Sequence, residues 1–224
     1  MKRIKLKDRI LPEYTKGEEI FNMVSHIVGG AIGIAILVLC IVFSAIKNNG
    51  YGLASGIVYG VSIIVLYTIS SLYHGLRKGS TAKKVFQILD YCSIFLLIIG
   101  TYTPICLCIF REYNIYLGWI VFGIVCSICV LGIIFSSIDF KKYRLGLIIC
   151  YLLISLITLS VMYITFNLIK LNGFMFLLLG CLIYLISYFV YYFNKEYKWM
   201  HSIFHLFCVL GTILHGVCVL LYVI

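Results

Sequence analysis

Seven long apolar runs separated by short polar loops decide what this chain can fold into. They cover roughly 22–46, 51–73, 85–110, 115–137, 145–169, 172–193 and 201–223. About 20 apolar residues in helical form cross the hydrocarbon core of a bilayer. In lipid a backbone must satisfy its own hydrogen bonds, and a helix does so within one segment. The loops are too short for a separate soluble domain, and only 12% of the residues are charged. The expected fold is an all-α membrane protein, a seven-transmembrane helix bundle over 18–224. A polar tail, 1–17, precedes it and is expected to be mobile or to lie on the membrane surface.

The formal net charge of +10 invites a nucleic-acid partner, but its distribution points elsewhere. Fifteen of the Lys and Arg residues fall on one side of the seven-run scheme: Lys2, Arg3, Lys5, Lys7, Arg9, Lys16, Arg77, Lys78, Lys83, Lys84, Lys141, Lys142, Arg144, Lys195 and Lys198. Three, Lys47, Arg111 and Lys170, fall on the other. That is a positive-inside pattern. It predicts a cytoplasmic N-terminus and, after seven spans, an extracytoplasmic C-terminus. Membrane lipids are then the expected partners, and no nucleic acid is. No cleavable signal peptide is expected, because the first apolar run is too long for one.

Ten cysteines suggest a framework, yet nearly all lie inside apolar runs, where a free thiol behaves as a small hydrophobe. Cys126 and Cys129 have CxxC spacing, but no second pair and no nearby histidine accompany them.

The polar residues within the runs are few, which makes their placement informative, since ionisable groups are expensive in lipid. Glu19, Asn22 and His26 share one face at the start of the first run. Ser70 and His74 stand four residues apart at the end of the second, and Asp90 is the only carboxylate inside a run. His201 and His205, again four apart, open the seventh. With the N-terminus cytoplasmic, all of these fall at one depth, near the cytoplasmic boundary. Pro104 is expected to kink the third helix. Tyr113, Tyr116 and Trp119 mark the outer interface, and Tyr191, Tyr192 and Trp199 the inner one.

Three imidazoles with one open position make a catalytic zinc arrangement. His74, His201 and His205 are the expected ligands. Asp90 is placed to take a proton from, or to orient, a water at the open position, and Ser70 to hydrogen-bond that water or Asp90. Simpler roles exist for each residue alone. The His201/His205 pair caps an interfacial helix, His74 complements a helix dipole, and Asp90 pairs with a loop cation. Their shared depth favours the zinc reading. His26 is expected to form an interhelical hydrogen bond rather than to ligate. His215, about 15 Å further along the last helix, is too deep to join the site and is expected to bond between helices.

The ordered set Glu19-x-x-Asn22-x-x-x-His26, Ser70-x-x-x-His74 with a following Asp90, and His201-x-x-x-His205 resembles the signatures of the hemolysin III branch of the progestin and adipoQ receptor family. The resemblance runs from about residue 18 to 224. It implies a seven-helix bundle with a cytoplasmic N-terminus in a bacterial plasma membrane. It also implies zinc held by His74, His201 and His205, with a water between the metal and Asp90 and with Ser70 nearby. More distantly the chain is similar to the alkaline ceramidases, which hydrolyse lipid amides at such a site. The long N-terminal domain of the eukaryotic receptors is missing, as in the compact bacterial form. Three functions follow as expectations: a zinc-dependent hydrolase of lipid amides or esters, a membrane-lytic hemolysin, and a non-enzymatic regulator of membrane lipids with structural zinc.

Overall fold

The computed structural model describes residues 5–193 and 197–224. Lys2, Arg3 and Lys195 of the basic set lie outside the described residues. The described chain is helical, without strands.

Local chemistry sets the helix ends. Thr15 caps α1 (Lys16–Ile46) with a capping box. Its hydroxyl accepts the Glu18 amide at 3.3 Å, and Glu18 Oε2 accepts the Thr15 amide at 2.8 Å. Asn49 starts α2 (Gly50–Gly75) by accepting the Gly52 amide at 2.8 Å. Ser80 starts α3 (Thr81–Pro104) in the same way on Lys83. Asn114 accepts the amides of Tyr116 and Leu117 at the head of α4 (Ile115–Asp139). Next come α5 (Arg144–Ser160), α6 (Met162–Phe193) and α7 (Met200–Cys218).

Pro104 loosens its helix rather than ending it. Ile105–Phe110 continue as a π-helix, consistent with a proline that supplies no N–H to the turn before it. Among the described residues, six helices, α3 counted with its extension to Tyr113, are long and apolar enough to cross a membrane, and Arg144–Ser160 is a shorter apolar helix. The fifth apolar run, 145–169, is therefore not one helix. It breaks at Val161, whose φ of −98° and ψ of 1° leave the helical range while its amide still reaches Ile157 O at 3.2 Å. Thr158 donates to Ile154 O at 2.9 Å, and Ser160 donates to Ile157 O at 2.8 Å. The following α6 is interrupted at Lys170, whose φ of 61° and ψ of 165° are not helical.

The helices close a ring in which chain neighbours pack side by side and α7 returns against α1. Side chains sink into glycine notches on facing helices. Ile63 fills the notch at Gly33, and the fully buried Phe95 fills that at Gly132. All ten cysteines are free thiols. Large apolar side chains cover the outer faces, as a lipid-facing surface requires. This packing brings the start of α1, the end of α2, the start of α3 and the start of α7 together at one end of the ring.

A buried histidine cluster

His74 is in the last turn of α2, and His201 and His205 are in the first two turns of α7. Their candidate ligand nitrogens all lie within 4.8 Å of one another. His205 Nε2 is 2.9 Å from His201 Nε2. Two imidazole nitrogens that close either share a hydrogen or turn both lone pairs to one cation. His74 and His205 are buried, and His201 is half-buried.

His74 has a defined orientation. Its Nδ1 lies 2.7 Å from Glu19 Oε2. A carboxylate only accepts, so Nδ1–H donates and Nε2 keeps its lone pair. That Nε2 is buried and has no hydrogen-bond partner among the described residues. A ring held at one nitrogen with the other bare is how proteins present a histidine to a metal.

The hydrogen-bond partners of Glu19 show what reading the sequence missed. Lys83, counted there as a loop cation, is 1% exposed. Its ammonium sits 2.9 Å from Glu19 Oε1 and donates to the carbonyls of Tyr73, His74 and Leu76 at 2.8, 3.3 and 3.2 Å. It closes the end of α2 and holds that end to α1. One signal was available. Lys83 is in the first turn of α3, where the helix dipole favours an acid rather than a cation. A cation there calls for a partner elsewhere.

The tail also departs from expectation. Tyr14 stacks on His201, with ring centroids 4.8 Å apart and planes 10° from parallel. The Lys78 ammonium donates to the Tyr14 carbonyl. Burial is the main influence pushing the Tyr14 phenol above its ordinary range, so it remains an O–H at neutral pH. The Trp199 amide donates to Glu18 Oε1 at 2.6 Å. Tyr14, just ahead of α1, thus packs over His201.

Asp90 and Ser70 flank the cluster from α3 and α2. His74 and the Ser70 hydroxyl are among the groups that act on Asp90, as are the phenols of Tyr14, Tyr73 and Tyr191. Lys83, one of the cations at this end of the bundle, is engaged by Glu19. Asn22 and His26 are buried on the same face of α1 as Glu19. His26 contacts His205 across α1 and α7, with its Nε2 and, at 3.1 Å, its Nδ1 both facing His205 Nδ1. The side-chain amide of Asn22 is buried and has no hydrogen-bond partner among the described residues. His215 lies away from the cluster and bonds between helices, with its Nε2 3.1 Å from the Leu177 carbonyl of α6. Beyond His26, Tyr67 and Tyr184 both hydrogen-bond Thr212, at 2.7 and 2.8 Å, and carry polar contacts deeper into the ring.

Two clefts approach the cluster. One, of ≈ 520 Å³, opens between α1 and α2 and reaches His74. The other, of ≈ 560 Å³, lies on the far side of Tyr14 and reaches His201.

A family model described as Haemolysin-III related matches residues 14–216. Hemolysin-3 of Bacillus cereus is 30% identical over 207 residues, which cover 92% of this chain and 92% of its own length. The Hemolysin-3 homolog of Bacillus subtilis (strain 168) is 31% identical over 209 residues, 93% of this chain and 96% of its own.

Proposed function

We propose that this chain, which belongs to the Haemolysin-III related family, is a zinc-dependent hydrolase of lipid amides or esters embedded in the membrane. It is a multi-pass protein of the bacterial cell membrane. The observation that carries the reading is the bare, buried Nε2 of His74 beside the nitrogens of His201 and His205. Neutral imidazoles are the donors zinc prefers, and three of them leave room for substrate.

His74, His201 and His205 would hold the ion. Bound zinc supplies a Lewis acid that polarises an acyl carbonyl and lowers the pKa of water toward about 7. The remaining work falls to this chain's own residues. Glu19 and Lys83 orient His74. Asp90 accepts a proton from the water that attacks the acyl carbon and returns it to the departing amine or alcohol oxygen. Ser70 steadies Asp90 through its hydroxyl.

Seven crossings with a cytoplasmic N-terminus belong to the same proposal. The break at Lys170 supports it by dividing the stretch after α5 into an outgoing and a returning part. The fifteen-to-three charge bias supports the orientation. The name of the relatives brings a second reading, membrane lysis, and a regulator with structural zinc is the third.

One comparison separates them. Zinc-loaded wild-type protein and Asp90→Asn protein are incubated with mixed lipids, and released fatty acid is measured by mass spectrometry. The expected result is zinc retained in both and turnover lower by about 10²–10⁴-fold in Asp90→Asn. Equal turnover, or none from the wild type, overturns the hydrolase. Dye release from liposomes by the wild type would favour lysis.

A further inference from the structure

The cleft between α1 and α2 joins two chemistries that seldom meet by accident. Its rim carries Lys16 from the first turn of α1, with Arg77 and Lys78 just past the end of α2. Its walls are Ile20 and Met23, and it ends at His74, whose own ring is fully buried. The one acid in its lining, Glu19, is already engaged by Lys83 and His74. The cleft therefore offers a net positive rim above an apolar wall.

The wall continues beyond the cleft. Ile20 is 48% exposed, and Ile27, seven residues on and on the same face of α1, is 55% exposed. An acyl chain has a track from the cleft down the outside of the bundle. A positive-inside bias alone explains cations on this rim. It does not explain a recess beneath them that leads to a buried imidazole.

We propose that this cleft binds an anionic glycerophospholipid, with its phosphate on Lys16, Arg77 and Lys78 and an acyl chain along Ile20 and Met23. Arg77 offers the planar fork that pairs with two phosphate oxygens, and the lysines add point charge. In a bilayer the acyl ester carbonyls of such a lipid lie just below its phosphate. His74 stands in the same relation to Arg77 and Lys78, on the last helical turn before them. The seated lipid brings an ester toward the histidine cluster. This names the substrate class of the proposed hydrolase and rests on that reading for its chemistry, though not for binding.

Binding is tested with the full-length, detergent-purified protein by native mass spectrometry. The probes are dioleoyl phosphatidylglycerol and dioleoyl phosphatidylcholine, and zinc content is measured on the same samples. Near a membrane surface each cation contributes roughly a fivefold preference for an anionic lipid. Wild type is expected to hold phosphatidylglycerol at least about tenfold more tightly than phosphatidylcholine. Lys16→Gln/Arg77→Gln should lose most of that preference with unchanged zinc content, which also reports intact folding. Lys141→Gln/Lys142→Gln removes equal charge from the α4–α5 loop and should keep the preference. Inorganic phosphate in large excess should not displace the lipid. Equal affinity of the wild type for the two lipids overturns the site, as does loss of preference in both double variants. Complete displacement by phosphate would assign the rim to a free anion instead. A wild type that holds no zinc but keeps the lipid preference defeats the hydrolase reading alone.

Discussion

Replacing Glu19 with glutamine removes one charge and almost no volume, and the structure says where that charge matters. Glu19 Oε2 takes His74 Nδ1 at 2.7 Å, and Oε1 faces Lys83 Nζ at 2.9 Å. Lys83 is 1% exposed, so in Glu19→Gln its ammonium keeps only carbonyl dipoles. Removing one partner of a buried pair costs about 3–5 kcal/mol. At about 2–4 °C per kcal/mol for a chain of this size, the melting midpoint falls by roughly 6–20 °C. His74 also loses its anionic anchor, and loss of such a partner weakens metal affinity by about 10–100-fold. The assay is thermal unfolding in detergent at one scan rate, with zinc titration, for Glu19→Gln, Lys83→Met and the pair. Lys83→Met leaves the α2 carbonyls uncapped and destabilises by itself. Because the double variant leaves no unpaired charge, its loss should fall short of the summed single losses by about 2 kcal/mol. Additive losses, with zinc affinity unchanged in Glu19→Gln, would refute the coupling described here.

The purified wild type is expected to hold about one zinc per chain; metal analysis should show His74→Ala, His201→Ala and His205→Ala each losing most of it and His215→Ala keeping it. A reporter active only in the cytoplasm should be silent when fused after Ile224 and active when inserted at 79–82, and the reverse pattern would reject the orientation. Gly132→Ala would place a Cβ 2.3 Å from Phe95, a ring stacked on its other side by Tyr151. It should cost about 1–3 kcal/mol in thermal unfolding without changing zinc content.

The cluster was legible in the sequence because topology turns position in the chain into depth. His74 ends the second of the seven apolar runs and His201 begins the seventh, and in a scheme of alternating crossings both fall at the same face. Lys83 was not legible as a partner, because a basic residue beside a membrane run reads first as an orientation signal. Its burial depends on where the end of α2 comes to rest, which is a tertiary fact. Tyr14 was hidden for a related reason. It stands ahead of the Thr15 cap among polar neighbours, and nothing local reveals the His201 ring beneath it. The break at Val161 escaped because hydropathy runs unchanged through it. A lipid-facing helix is apolar around most of its girth, so its periodicity carries little information about where the backbone turns.

The division of the cluster between α2 and α7 has a consequence for biogenesis. A ribosome delivers α1, α2 and α3 to the bilayer first, with Glu19, Lys83 and His74 among them. These three can pair at once, and His74 is then poised with its free nitrogen long before His201 and His205 exist. Those two arrive with the last helix. A nascent or truncated chain that stops short of Met200 can present one imidazole but never three. Capture of an ion by all three would therefore wait for the last helix, and that ion would bind the first helices made to the last.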